Sequence, residues 1–143
     1  MTSEPYRDSI YIDAPPDVVF EYFVDPVALV QWMGDEAFLE PRPGGRFTLR
    51  FGHGTVEGRY VEVMRPSRIV VAWGRLNSAT MPPGSSVLEV ELMAENDGTR
   101  VSIVHSGLPQ VEQAKHAAAW RHYLQRLADA SVATRADLPR LRR

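Results

Sequence analysis

The chain has 143 residues, 44% apolar and 24% charged, with a net charge of −2 and no cysteine. That is the balance of one globular domain long enough to bury a core. It excludes disulfides, thiolate nucleophiles and Cys-based zinc sites, and it excludes polyanion binding driven by overall charge.

The first residues, Met1-Thr2-Ser3-Glu4-Pro5, carry no basic segment leading into an apolar run. Nowhere do about 18 apolar residues follow one another, so no membrane insertion is expected and the chain reads as cytoplasmic. Of the sixteen basic residues only Lys115 is lysine, a bias that fits a GC-rich genome and says nothing direct about function.

Tyr6 to Ile12 alternates apolar and polar residues and is predicted as an edge strand. Asp13 is placed as the N-cap of a short helix, where early prolines cost nothing and Asp17 adds a favourable charge. Val19 and Phe23, like Val18 and Tyr22, stand four apart and give that helix an apolar face. Asp25-Pro26 breaks it, and a second short helix over 27–33 ends at Gly34.

From Phe38 onwards the period is two. Phe47, Leu49 and Phe51 share a strand face between turns at Gly44-Gly45 and Gly52-His53-Gly54. Thr55 to Met64 is a long strand stopped by Arg65-Pro66-Ser67. Ile69, Val71 and Trp73 align on the next, and Asn77 to Ser85 is a loop. Leu88, Val90 and Leu92 alternate with Glu89 and Glu91, Asn96-Asp97-Gly98 marks a hairpin, and Val101, Ile103 and His105 share a face. Six or seven antiparallel strands result, with no internal repeat.

Pro109 opens the final helix, whose stripe of Ala117, Trp120, Leu124 and Leu127 must lie on something apolar. Residues 134–143, with four arginines and a proline, are expected to form a flexible tail, leaving 1–133 as a single domain. The fold class is α+β: one long apolar helix facing a large sheet, which is a way to build a cavity.

The motifs in this order resemble a known family. Ile12-Asp13-Ala14-Pro15-Pro16 leading to Val19-Phe20 is similar to its opening signature. Trp32 sits where the family has a tryptophan after the second short helix, and Arg42-Pro43-Gly44-Gly45 resembles its glycine turn. Gly58 to Glu62, Arg65-Pro66 and Ile69 to Trp73 resemble its central strands. Gly98-Thr99 and His105-Ser106-Gly107 resemble its last hairpin, and His116 to Leu124 its closing helix. The family is the AHSA-type (activator of heat-shock-protein ATPase homologue) branch of the START-like, or SRPBCC, superfamily. The resemblance runs from Tyr6 to about Ala130. It implies a helix-grip fold, a curved antiparallel sheet wrapped around a long C-terminal helix with a cavity between. Ala119 stands before Trp120 where the family often has glycine, which alters how closely the helix approaches the sheet.

The aromatic residues Trp32, Phe38, Phe47, Phe51, Trp73, Trp120 and Tyr123 fall on elements expected to surround that cavity. They are taken, with His105, as the ligand-binding set, gripping a flat apolar molecule in a few hundred Å³. His105 is also the candidate general base, because it shares a strand face with Val101 and Ile103. No histidine pair has the spacing of a zinc helix motif, so no metal is expected, and no cofactor. No basic stripe accompanies the aromatics outside the tail, so nucleic acid is not an expected partner. Strand carboxylates such as Glu57, Glu62, Glu89 and Glu91 are expected to face solvent.

The leading reading is a binder of a small hydrophobic or aromatic molecule, with enzymatic activity left open. Three alternatives stand beside it: self-resistance by sequestering an enediyne-type natural product, a polyketide cyclase or dehydratase, and a module contacting a chaperone ATPase. The sequence leaves the oligomeric state open.

Overall fold

The computed structural model describes residues 4–141, with side chains through Ala133. The chain runs β1 (Tyr6–Ile12), α1 (Pro16–Val24), α2 (Pro26–Leu29), β2 (Glu36–Leu39), β3 (Arg46–Phe51), β4 (Gly54–Met64), β5 (Arg68–Trp73), β6 (Ser86–Glu95), β7 (Gly98–Ser106) and α3 (Gln110–Leu141). The expected tail at 134–143 lies outside the residues whose side chains are described.

All seven strands join one antiparallel sheet in the order β1-β7-β6-β5-β4-β3-β2. Strands β2 to β7 form a meander, while β1 returns to the far edge beside β7. The α1–α2 segment must therefore carry the chain from one edge of the sheet to the other. With α3 against the inner face, this is the helix-grip arrangement that the resemblance implies.

Two helix starts differ from the sequence expectation. The N-cap of α1 is Pro15, which has no side chain to cap with, and the helix begins at Pro16. Asp13 thus lies two residues too early to be the cap. Thr99 Oγ1 instead donates to Ala14 O at 2.7 Å and pins this corner to β7. The second helix is shorter than 27–33: α2 ends at Leu29, and tight turns through Trp32 and Met33 follow before Gly34 at φ 78°.

The glycine turn has a defined task. A bulge between Tyr60 and Glu62 leaves Val61 without a partner on β5, and on the opposite edge of β4 the Tyr60 peptide bonds the glycine turn. Gly44 N–H donates to Tyr60 O at 2.7 Å, and Tyr60 N–H donates to Gly45 O at 2.9 Å. A Cβ at Gly45 would lie 1.9 Å from Glu40 O, so only glycine lets the turn close on the bulge.

Helix α3 is fastened along one flank. Gln113 Nε2 donates to Glu4 O at 2.6 Å, Arg121 pairs with Asp8 at 3.1 Å, and Tyr22 OH donates to Ala130 O at 3.1 Å. Its buried residues include His116, Trp120, Leu124 and Leu127. Ala117, expected in that stripe, is only half-buried, and His116 holds the inward position one residue earlier. Glu62, Glu89 and Glu91 lie away from the helix, gathered around Arg68 at 3.3, 2.8 and 2.8 Å. Among the described residues no helix is long and apolar enough to cross a membrane.

Candidate functional site

The interior between α3 and the sheet is filled at its centre and hollow at one end. At the centre, Phe23, Leu29, Trp32, Phe47, Ile69, Val71, Leu88 and Val90 leave a void of only about 10 Å³. A second cavity, of about 100 Å³, lies beside the β3–β4 hairpin. On this side α3 meets β3 ring to ring, Phe51 and Tyr123 standing 6.0 Å apart, while Arg121 ties the helix to β1.

Each wall comes from a different element. The sheet supplies Phe51 from the end of β3, Thr55 and Val56 from the start of β4, and Trp73 from the end of β5. The helix supplies His116, Ala119, Trp120 and Tyr123, which repeat at helical spacing and so share one face. His53 from the β3–β4 turn and Arg75 beyond β5 complete the rim, and Met33 closes it below. Trp73 and Trp120 meet at 5.8 Å between centroids, and Phe47 reaches Trp73 at 5.6 Å because its strand partner, Gly58, has no side chain.

Four of the eight residues expected to bind ligand therefore line the cavity: Phe51, Trp73, Trp120 and Tyr123. Trp32 and Phe47 do not reach it. They belong to the filled centre, where Trp32 Nε1–H donates to Tyr22 O at 2.8 Å. Phe38 is on the other side of the sheet. Its partner across the ladder is Thr48, so it faces away from Phe47 and Leu49, 46% exposed, with the guanidinium groups of Arg46 and Arg50 over its ring. The cavity is also smaller than the few hundred Å³ expected.

His105 lies behind the wall, fully buried, and its hydrogen bonds fix its tautomer. The indole Nε1–H of Trp120, which can only donate, reaches Nδ1 at 3.2 Å. Ser86 Oγ donates to Trp73 O at 2.9 Å, so at 2.9 Å from His105 Nε2 it must accept. The ring is thus neutral with its proton on Nε2, and a second proton on Nδ1 would oppose the Trp120 N–H. Burial, with the nearby His116 adding to it, pulls its pKa down to about 3. Both nitrogens are hydrogen-bonded and His105 is not among the residues that line the cavity, so in this arrangement neither nitrogen is directed at a ligand there. His105 holds the Trp120 indole directly and is linked through Ser86 to the backbone of Trp73.

His116 is the residue that the sequence reading passed over. Its ring meets His105 at 5.4 Å, and burial and the Arg75 charge lower its basicity. Its Nε2 has no hydrogen-bond partner, with Glu112 Oε1 at 3.7 Å, and Trp73 Nε1 has none either. The signal was available: His116 precedes Trp120 by four and Tyr123 by seven, one face of one helix. Burial raises the pKa of Tyr123. Among the described residues no group of three His, Asp or Glu side chains could hold a metal ion.

Residues 13–131 match the family described as "Activator of Hsp90 ATPase homolog 1-like protein". The chain belongs to this AHSA1-like family. Among solved structures, the AHSA1-like protein RHE_CH02687 from Rhizobium etli is 37% identical, with a TM-score of 0.71 over 92% of this chain and 82% of that one. DynU16, described as belonging to the dynemicin biosynthetic locus, is 24% identical with a TM-score of 0.77; the match covers 89% of this chain but 46% of DynU16. PFC0360w, an HSP90 activator from Plasmodium falciparum, is 21% identical with a TM-score of 0.70, over 86% and 92% of the two chains. The last two likenesses establish the fold alone. Among curated protein sequences no relative matches.

Proposed function

We propose that this AHSA1-like protein binds a small aromatic or otherwise apolar molecule in the cavity between α3 and the β3–β5 end of the sheet. One observation carries the reading: four aromatic side chains enclose a space at one end of an interior that is otherwise filled. At about 100 Å³ the space is below the roughly 300–1,000 Å³ of drug-sized sites, which fits a ligand of one ring or a mouth that widens on binding. Two of the three tryptophans are walls, so ligand titration followed by tryptophan fluorescence is the direct test. Saturable quenching should accompany a rise in melting temperature, since ligand at 100-fold its Kd adds about 2.7 kcal/mol. Scattered, non-saturating responses across a panel of aromatic compounds would falsify the reading.

A second reading is self-resistance by sequestering an enediyne-type natural product. The fold likeness to DynU16, a protein of the dynemicin locus, favours it, and Gly54 in the cavity wall offers a backbone position for attack. Incubation with an activated enediyne and mass spectrometry of the chain is the test: specific cleavage at the cavity supports the reading and an intact chain removes it. A chaperone contact draws on the family and on PFC0360w, and an Hsp90 ATPase rate that this protein leaves unchanged counts against it. For the cyclase reading, the candidate base His105 is hydrogen-bonded at both ring nitrogens, and no observation favours that reading.

A further inference from the structure

We propose that the cavity selects an aromatic acid: a single ring between Trp73, Trp120, Phe51 and Tyr123, with its carboxylate taken by Arg75. This rests on the ligand-binding reading above and adds the size and charge of the ligand.

Size comes from volume. An apolar cavity of about 150 Å³ holds benzene. A space of about 100 Å³ is smaller than that but opens at a rim, so the largest group it suits is one ring set partly in the mouth, with its polar substituent outermost.

Charge comes from the rim. Arg46, Arg50, Arg65 and Arg121 are neutralised by Glu57, Glu36, Glu21 and Asp8. Arg75 has no such partner: among the described residues no carboxylate lies within ion-pair distance of it. Its base is nonetheless fixed. Arg75 N–H donates to Met81 O at 2.7 Å, Val56 bridges to Arg75, and Leu76 N–H donates to Thr55 O at 2.9 Å. An unneutralised guanidinium carried on a pinned backbone beside a cavity is a ready fork for a carboxylate.

The remaining polar groups agree with it. No carboxylate is among the wall residues; Glu112 faces His116 from the helix, and Asp35 acts on Tyr123. Trp73 Nε1–H is a buried donor with no hydrogen-bond partner, and a carboxylate is a pure acceptor when ionised. An ammonium ligand would meet Arg75 as a like charge.

The test uses the full chain at neutral pH with three probes of one ring: benzoate, benzyl alcohol and benzylamine. Affinities are read by tryptophan quenching and saturation-transfer NMR. Benzoate is expected to bind about ten-fold or more tightly than benzyl alcohol, and benzylamine weakest. Arg75→Gln should abolish the preference for benzoate while leaving benzyl alcohol within about two-fold. Arg7→Gln, at an exposed arginine on β1, makes the same change in net charge and should leave the preference intact. Equal affinity for benzoate and benzyl alcohol, or a preference that survives Arg75→Gln, overturns the proposal and leaves the ligand-binding reading standing. Failure of all three probes overturns both.

Discussion

Trp32 and Trp73 are indoles of one interior, 1% and 5% exposed, and the protein treats them differently. The Trp32 N–H donates to Tyr22 O, its ring stands edge-on to Phe23 at 5.2 Å, and the space around it is filled. The Trp73 N–H has no partner, and its ring faces a hollow. Leaving a buried donor unmade costs about 1–3 kcal/mol, so a chain keeps such a group only where something offsets it. The filled centre completes itself with its own groups. The hollow end keeps an indole N–H without a partner and has no carboxylate among its walls.

Truncation should separate the two regions most strongly. Trp32→Ala is expected to cost about 3–5 kcal/mol, because it opens a void in close-packed surroundings and strands Tyr22 O. Trp73→Phe removes a donor that had no partner and is expected to cost about 1 kcal/mol or less. Urea unfolding of both, with Trp32→Phe as the matched control, decides the matter. If Trp73→Phe is as costly as Trp32→Phe, the indole N–H of Trp73 is satisfied in solution and the contrast fails.

The two buried histidines make the next largest difference, in pH dependence. Both have lowered pKa values, so the unfolded chain takes up protons that the folded chain does not. Stability is then full above the ordinary histidine value near 6.5 and falls as pH drops below it. For His105 the loss continues down to about pH 3. Each histidine adds about 1.4 kcal/mol per pH unit to the slope inside its window. His105→Phe should lower stability at neutral pH, since Trp120 Nε1 and Ser86 Oγ lose their partner, yet flatten the slope between about pH 6 and 5 by one proton. An unchanged slope in denaturant midpoints would mean that His105 titrates freely.

The strands were legible because alternation is a backbone property: Phe47, Leu49, Val90 and Ile103 point inward in any register that buries one face. Phe38 was not. Glu36-Ala37-Phe38-Leu39 reads equally well in either phase, and only the pairing of Leu39 with Phe47 puts Phe38 outside. Asp13-Ala14-Pro15-Pro16 is similarly ambiguous, since two prolines allow two helix starts and chain geometry selects the later one. The cavity itself was legible as a place, between the last helix and the sheet, and its volume was not. Volume depends on which flank of α3 is tied down, and those ties (Arg121 to Asp8, Tyr22 to Ala130) join residues more than a hundred positions apart.

Filling the hollow tests whether it matters without disturbing the centre. Ala119 is a wall residue on α3, and Ala119→Leu adds three carbons to that wall. Stability should change by no more than about 1 kcal/mol, because there is space to receive them. The fluorescence response to aromatic ligands should vanish. A variant that keeps the full response places the binding site elsewhere on the molecule.

The smallest effect belongs to the residue on the wrong side of the sheet. Phe38 holds Arg46 and Arg50 at 5.6 and 5.9 Å over its ring, contacts that at an exposed site contribute about 0.5–1 kcal/mol. Phe38→Ala should cost no more than that and leave ligand affinity within error of the parent. The measurement is informative because Phe38 pairs with Thr48 one residue from Phe47, with the sheet itself between it and the interior. If its removal weakens binding as Trp120→Ala does, β2 has slipped by one position in solution. Ala37 and Leu39 would then face outward, and the assignment of an inner face to this end of the sheet would fall with them.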